Sequence, residues 1–277
     1  MANDKEPKKA RNKNSDKTDS CRPLILVSND DGYQAPGVKR LVEHLQRFGH
    51  VVCVCPDSAR SGQSMALTVN SPLRLTRLPD LGESEMYCCN GTPVDCVKIA
   101  MHTVCRDRRP DLLVSGINHG SNASVNVMYS GTMGAAFEGC ACGIPSVGFS
   151  LTSHNISADF TPAMPYVDFI VRRILAEGLP ENICLNVNIP ADCVPMEMRL
   201  VRGARSHWSD EYADYTDPHG TPFYWLTGHL INLEPEATDT DLYVLEHKIV
   251  SVVPCALDRT ADVSTHSWLR DLDGVRP

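Results

Sequence analysis

Short apolar runs that end in polar, glycine-rich loops recur along this chain and predict its elements. The run Leu24-Ile-Leu-Val27 is too short for a helix and predicts a strand that is buried on both faces. Apolar residues from Val38 to Phe48 then follow the i, i+3, i+4 spacing of a helix. A second buried strand is predicted over 51–55, so residues 24–55 form a βαβ unit with parallel strands.

The same patterns predict further elements as far as residue 190. Helices are expected to begin at Pro93, after Thr92 as N-cap, and at Ser130, and a third covers 160–175. Strands are expected at 66–69, 73–78, 111–115, 144–149 and 183–189. The predicted fold class is therefore α/β, a Rossmann-like, mostly parallel sheet flanked by helices.

Aromatic residues crowd the chain after about residue 195 and predict a different kind of structure. The turn Asp217-Pro-His-Gly220 lies between aromatic stretches, as in a long β-hairpin, and strands are expected at 242–247 and 249–254. Such a hairpin packs either on another subunit or on its own core, and the pattern leaves both open.

These shifts in composition divide the chain into three parts. Residues 1–22 are polar and predict a disordered tail, either an inert extension or a basic targeting segment. Residues 23–195 form the predicted Rossmann-like catalytic domain. Residues 196–277 form a hairpin and oligomerisation region that returns to the core.

Composition and charge exclude several classes of function. A formal net charge of −8 over 277 residues argues against binding to a nucleic-acid duplex, which needs a basic surface. Twelve cysteines without a C-x-x-C pair argue against a zinc site and suggest a reducing compartment. The sequence shows neither a membrane-length apolar run nor a secretory signal, so we expect a cytoplasmic protein without membrane contact.

Three polar loops are predicted to meet at one edge of the sheet, because each leaves the carboxyl end of a buried strand. All four candidate ligands are oxygen donors, which favour Mg²⁺, Mn²⁺ or Ca²⁺ over zinc or copper. These predicted metal ligands are Asp30, Asp31, Ser61 and Asn118. An acidic turn without a metal is the alternative interpretation of the first loop, since Asp, Asn and Gly are common in turns.

A candidate phosphate site accompanies the predicted metal. Ser130, Gly131 and Thr132 open a helix of small residues, and the free N–H groups of a helix N-terminus bind anions. Asn118 is the fourth expected phosphate contact. Asn90-Gly-Thr92 opens another helix, where an ordinary helix cap is the favoured interpretation.

A metal beside an anion site is typical of phosphoryl transfer to water. Walker A, G-x-G-x-x-G, H-E-x-x-H and D-x-D-x-T motifs are all missing from the sequence, which disfavours ATPases, dinucleotide dehydrogenases, zincins and dehalogenase-type phosphatases. Asp30 and Asp31 are the candidate catalytic residues. The nucleophile is either a metal-activated water or an aspartate.

Several blocks of the sequence resemble the SurE survival-protein nucleotidases, in the family's order and spacing over residues 24–150. Weaker similarity extends to about residue 255, and Ser121-Asn-Ala-Ser124 departs from the family pattern. The blocks are Ser28-Asn-Asp-Asp-Gly-Tyr-Gln-Ala-Pro-Gly37, Arg60-Ser-Gly62, Gly91-Thr-Pro-Val-Asp-Cys-Val97, Ser115-Gly-Ile-Asn-His-Gly120 and Tyr129-Ser-Gly-Thr-Met-Gly-Ala-Ala136.

The resemblance implies a metal-dependent, acid-phosphatase-like enzyme that hydrolyses nucleoside 5′- and 3′-monophosphates. It implies Mg²⁺ or Mn²⁺ at the four predicted ligands, and homodimers or homotetramers built partly through the C-terminal hairpin. Two alternatives stay open: a non-catalytic nucleotide-binding protein and a metal-dependent glycosyltransferase-like enzyme.

Overall fold

The structure, a computed structural model, describes residues 22–155, 157–191 and 197–261. Its helices are α1 (Pro36–Leu45), α2 (Pro93–His102), α3 (Gly131–Ala141), α4 (Met164–Glu177) and α5 (Asp241–Glu246). Its strands are β1 (Leu24–Ser28), β2 (His50–Pro56), β3 (Leu75–Arg77), β4 (Glu85–Cys89), β5 (Leu112–His119), β6 (Ser146–Leu151), β7 (Ile183–Ile189), β8 (Met198–Leu200), β9 (Ser206–Ser209), β10 (Tyr212–Thr216), β11 (Pro222–Leu226), β12 (His229–Asn232) and β13 (Val250–Ala256).

Nine strands form one sheet in the order β3-β4-β2-β1-β5-β6-β7-β13-β8. The six strands from β4 to β7 are parallel to one another, while β3 and β13 run antiparallel to their neighbours β4 and β7. The carboxyl ends of β1, β2 and β5 therefore lie side by side at one edge. This arrangement confirms the predicted fold class.

Helices cover both faces of the sheet, because alternate strand residues point to opposite sides. On one face Ile25 and Val27 pack with the apolar stripes of α1 and α4. On the other face Leu24 and Leu26 pack with α2 and with Ala135 of α3. Burial of β1 on both faces explains why its sequence is an unbroken apolar run.

Most predicted elements through residue 190 are present, and the prediction at 66–69 is wrong. These residues form a loop that packs on the start of α2: Thr92 donates its hydroxyl to the carbonyl of Ala66 at 2.7 Å. Thr92 caps α2 together with Asp95, as expected for an ordinary cap. The strand predicted at 73–78 is present but shorter than expected, as β3.

The strand predicted at 242–247 is also wrong, because this segment is helix α5. Thr240 caps it by accepting the N–H of Tyr243 at 3.3 Å, and Asp241 occupies the first turn. A short apolar run fits a strand or a helix equally well, so the cap decides the outcome. The next prediction, 249–254, is confirmed as β13.

The aromatic segment forms two antiparallel pairs, β10 with β11 and β9 with β12. The predicted turn at 217–220 joins β10 to β11, where Asp217 accepts the N–H of His219 at 2.8 Å. All five residues of β11 are exposed. Whether this surface meets another subunit stays a prediction.

Most of the predicted N-terminal tail, residues 1–21, lies outside the described residues. Among the helices of the described ranges, none combines the length and the hydropathy that a bilayer span requires.

Helix α1 packs so closely on β5 that it needs a glycine. A methyl group at Gly37 would lie 2.1 Å from the backbone oxygen of Ile117. Because that oxygen belongs to a central strand, it cannot move alone. We expect Gly37→Ala to lower the free energy of unfolding by about 3 kcal/mol, measured by urea denaturation.

The matched control for this prediction is Gly203→Ala, where the nearest atom to the added methyl group lies 3.9 Å away. We expect its effect to stay within about 0.5 kcal/mol. Equal denaturation midpoints for the two variants would contradict the close packing of α1 on β5.

Candidate metal centre

The carboxylate of Asp30 lies at the carboxyl end of β1, against the first turn of α3. Its side chain is buried, and Thr132 donates both its hydroxyl and its backbone N–H to it. A Cβ at Gly131 would lie 2.7 Å from the Cβ of Asp30, so glycine permits this approach. Ser130 caps the helix by accepting the N–H of Met133 at 3.0 Å. The Ser-Gly-Thr sequence therefore holds a carboxylate at the positive end of α3.

Two neighbouring carboxylates at this point lack a cationic partner. Burial raises the pKa of Asp30 to about 6, with the charge of Asp31 adding to the rise and the hydrogen bond from Thr132 opposing it. Burial also raises the pKa of Asp31. Within the described ranges, no ion pair includes either carboxylate. A bound cation would relieve the cost of ionising both groups.

The loop after β2 brings Ser61 to the same place. The N–H of Arg60 donates to the backbone carbonyl of Asp30 at 2.7 Å. The N–H of Ser64 donates to the carbonyl of Tyr129 at 3.1 Å, which ties the loop to the segment before α3. Ser61 lies between these two anchors and is exposed to the cleft.

The carboxyl end of β5 itself supplies Asn118, which is largely buried. Its amide nitrogen donates to the carbonyl of Gly120 at 2.9 Å, while its amide oxygen accepts no hydrogen bond from the described residues. The N–H of His119 donates to the carboxylate of Asp31 at 3.2 Å. The side-chain oxygen of Asn118 is therefore available to a cation beside the two carboxylates.

A network of buried amides around the loop after β5 was not predicted from the sequence. The N–H of Asn122 donates to Asn188 at 2.7 Å, and the amide nitrogen of Asn186 donates to the carbonyl of Asn122 at 2.8 Å. Asn122 also donates to the hydroxyl of Ser150 at 2.8 Å, and Asn188 donates to Asn186 at 3.0 Å. The sequence signal that could have revealed the network is Asn186-Val-Asn188 inside the otherwise apolar strand β7, because a buried amide needs hydrogen-bond partners.

A second support missed from the sequence is Asp241, a buried carboxylate in the first turn of α5. It accepts the N–H of Ser124 at 2.7 Å and the N–H of Ala204 at 2.9 Å. It thus ties the short 3-10 turn Ser124–Met128 to the start of the C-terminal region. The prediction of a strand at 242–247 concealed this role.

These loops enclose one side of a cleft of about 530 Å³. Of the predicted site residues, Asp30, Ser61, Asn118 and Ser130 line it. Asp31, Gly131 and Thr132 are not part of its wall; the first is bonded to His119, and the other two contact Asp30. A phosphate-binding role for Ser130, Gly131 and Thr132 stays a prediction.

The chemistry of the donors fits a hard divalent cation. The available atoms are carboxylate, hydroxyl and amide oxygens, the ligands that Mg²⁺ and Mn²⁺ prefer. No group of three or more His, Cys, Asp or Glu side chains suited to a metal occurs in the part of the chain that the structure describes.

Comparison with known proteins identifies the family. The family model described as survival protein SurE matches residues 25–210. The chain belongs to the SurE family. This membership confirms the resemblance seen in the sequence blocks.

SurE relatives match over most of their length. Proteins named 5′-nucleotidase SurE from Phocaeicola vulgatus and Bacteroides fragilis are 45% and 46% identical over 240 and 241 residues. The alignments cover 87% of this chain in each case, and 93% and 94% of the relatives. The crystal structure of the SurE protein from Aquifex aeolicus has a TM-score of 0.77 at 35% identity, covering 90% of this chain and 100% of that one.

The buried carboxylate of Asp30 makes a pH-dependent prediction for the metal-free protein. Its pKa of about 6 exceeds the ordinary value of 3.8, so folding is penalised increasingly as pH rises from 4 to above 6. A pKa difference of about 2 corresponds to about 3 kcal/mol at pH 7. We expect Asp30→Asn to be more stable than the wild type by up to this amount in EDTA at pH 7.5, and the gain to vanish below pH 4.

Urea denaturation at several pH values measures this difference, with Asp214→Asn, an exposed hairpin residue, as control. We expect Mn²⁺ to raise the thermal midpoint of the wild type and of the control, but not that of Asp30→Asn. A pH-independent difference between wild type and Asp30→Asn would contradict the burial of an ionisable carboxylate.

The amide network makes a second stability prediction. Asn188→Ala leaves the buried N–H of Asn122 without its acceptor, which costs about 2 kcal/mol. We expect a corresponding fall in the urea midpoint, and none for Asn70→Ala, whose side chain is exposed. Equal midpoints for both variants would show that the network does not stabilise the loop.

Proposed function

We propose that this protein is a divalent-metal-dependent 5′-nucleotidase, which hydrolyses nucleoside monophosphates to nucleoside and phosphate and also accepts 3′-monophosphates. Relatives named 5′-nucleotidase SurE, at 41–46% identity over most of the chain, support the enzyme class. The observation that carries the proposal is the cleft in which Asp30, Ser61 and Asn118 present oxygen donors beside a helix N-terminus.

In this proposal four residues hold Mg²⁺ or Mn²⁺: Asp30, Asp31, Ser61 and Asn118. The cation, when bound, supplies a Lewis acid for the phosphoryl group and lowers the pKa of water. The two carboxylates balance its charge, and the neutral ligands leave positions for substrate. The contacts of Asp30 with α3 fix the orientation of one carboxylate before any substrate arrives.

The substrate phosphate approaches from the cleft, next to Ser130 at the N-terminus of α3. The dipole of this eleven-residue helix favours negative charge there. Gly131 and Thr132 contribute by holding Asp30, and any free N–H of the first turn adds to phosphate binding.

Water rather than an aspartate is the proposed nucleophile. Asp30 is buried against Gly131 and receives two hydrogen bonds from Thr132, which suits a fixed ligand better than an attacking group. Absence of an acid-stable phosphorylated protein after rapid quenching would support attack by water. Recovery of phosphate on Asp30 or Asp31 would support the aspartate route.

The exposed aromatic hairpin supports an assembly of two or four subunits. Phe223, Tyr224 and Trp225 of β11 lie outside the cleft and are each more than 40% exposed, which is a large apolar surface for one strand. Ten cysteines in the described ranges are free, consistent with a reducing cytoplasm. Neither a membrane nor a nucleic-acid duplex is a proposed partner.

Phosphate release from AMP with Mn²⁺ tests the proposed function. We expect EDTA to abolish release and added Mn²⁺ to restore it. Asp30→Asn should lower kcat at least about 100-fold, because it removes a charged ligand and its electrostatic contribution. Asp214→Asn, on the exposed hairpin, should retain wild-type activity.

The same assay separates the alternatives. A nucleotide-binding protein without catalysis would bind AMP and release no phosphate. A glycosyltransferase-like enzyme would consume a nucleotide sugar and leave AMP intact. Wild-type activity in Asp30→Asn would overturn the metal assignment, and parallel assays with 3′-AMP would test the second substrate class.

A further inference from the structure

The cleft extends beyond the predicted metal ligands to a wall that the proposed hydrolysis does not use. This wall is formed where β9 leads into β10 and where β11 ends. Its five residues are Trp208, Glu211, Tyr212, Leu226 and Thr227. We call them the hairpin wall. The wall and Asp30 line the same cleft, so the wall borders the space in which a ligand bound at Asp30 would lie.

Trp208 is held in a fixed position on this wall. Its indole N–H donates to the side-chain oxygen of Asn126 at 2.9 Å. The hydroxyls of Ser206 and Ser124 are hydrogen-bonded at 2.5 Å and attach β9 to the same 3-10 turn. The turn follows β5, the strand that ends with Asn118 and His119, so the indole is attached to the segment that leaves the candidate metal centre.

Tyr212 and Leu226 form an open, apolar part of the wall. Tyr212 and Leu226 are direct partners in the β10–β11 pair, and each is 66% exposed. Contact with such an apolar surface does not stabilise a phosphate group, whereas it stabilises the flat face of a nucleobase. Stacking of a base on an aromatic side chain contributes about 1–3 kcal/mol.

Glu211 adds a free carboxylate to the wall. Its backbone carbonyl accepts the N–H of Thr227 at 2.7 Å, which fixes the main chain. Its side chain takes part in none of the hydrogen bonds or ion pairs among the described residues and is exposed. A carboxylate accepts hydrogen bonds only, so it favours ligands that present N–H groups.

We propose that the hairpin wall is a nucleobase subsite, in which Trp208 stacks on the base and Glu211 accepts hydrogen bonds from its edge. The inference rests on the proposed function, because it places the phosphate at Asp30. Guanine presents two adjacent N–H donors to a carboxylate, whereas the N–H of uracil lies between two carbonyl oxygens that repel it. The subsite therefore selects guanine over uracil nucleotides.

The size of the cleft agrees with this assignment. Its volume of about 530 Å³ is within the range of about 300–1,000 Å³ that is typical of small-molecule sites. Its lining includes both Asp30 and Trp208, which suits a ligand that carries an anionic group and a flat base. A ligand without a base would leave the wall uncovered.

Substrates with and without a base test the role of Trp208. We expect Trp208→Ala to lower the ratio of kcat/KM for GMP to kcat/KM for ribose 5-phosphate about tenfold, and Trp208→Phe to recover most of it. Phe169→Ala, an exposed aromatic of α4 outside the cleft, is the matched control and should leave the ratio unchanged. Equal losses on both substrates, or no change in the ratio, would overturn the subsite.

The GMP-to-UMP ratio of kcat/KM tests the role of Glu211. We expect Glu211→Gln to lower this ratio about tenfold, since a charge-assisted pair of hydrogen bonds is lost. Glu236→Gln, an exposed carboxylate outside the cleft, serves as control. A loss on ribose 5-phosphate as large as that on GMP would place Glu211 at the ribose and overturn its role at the base.

A binding measurement separates failure of this inference from failure of the proposed function. Guanosine carries the base without phosphate, so its binding can be followed by calorimetry whether or not hydrolysis occurs. We expect guanosine to bind the wild type at least tenfold more tightly than Trp208→Ala. Phosphate release from ribose 5-phosphate without guanosine binding would refute the subsite alone, whereas guanosine binding without any release would refute the nucleotidase alone.

Discussion

The contact between the carboxylate of Asp30 and the first turn of α3 constrains the rest of the site. Burial makes ionisation of this carboxylate costly, and Thr132 and the helix dipole offset only part of that cost. Asp31, its neighbour in sequence, adds a like charge. In the proposed function a hard cation offsets this repulsion, and Ser61 and Asn118 add neutral oxygen donors beside the two carboxylates.

The parallel sheet brings the candidate site residues together, and buried polar networks hold the surrounding loops in place. Strands β1, β2 and β5 are neighbours, so their carboxyl ends deliver three loops to one place. The asparagines of β7 then hold the loop after β5 from below, and Asp241 holds the turn that follows it. Because buried amides and carboxylates tolerate few arrangements, these networks fix the loop more tightly than apolar packing would.

The lining of the cleft combines two kinds of chemistry. Asp30, Ser61 and Asn118 offer oxygen donors for the proposed cation and phosphate, while Trp208 and Glu211 offer an aromatic side chain and a carboxylate. The C-terminal region therefore has two surfaces. One is the wall of the cleft, and the other is formed by residues 222–225 of β11, which are exposed outside the cleft and which we propose contact a second subunit.

The local sequence alone determined those helices and strands whose hydrophobic pattern and capping residues are compatible with only one type of secondary structure. Double-sided burial demands the apolar run of β1, and the Thr92–Asp95 capping box and Ser130 fix where α2 and α3 begin. Parallel topology then predicted that Asp30, Ser61 and Asn118 would share a cleft, because loops at the carboxyl ends of adjacent strands must meet. The short run at 242–247 fitted two structures, and only its cap and its contacts made it a helix. The tertiary structure alone decided that Asn186 and Asn188 support the loop, that Thr132 faces Asp30, and that Trp208 reaches the cleft. These contacts join residues 64 to 102 positions apart, and no local pattern encodes which distant partner a polar side chain will find.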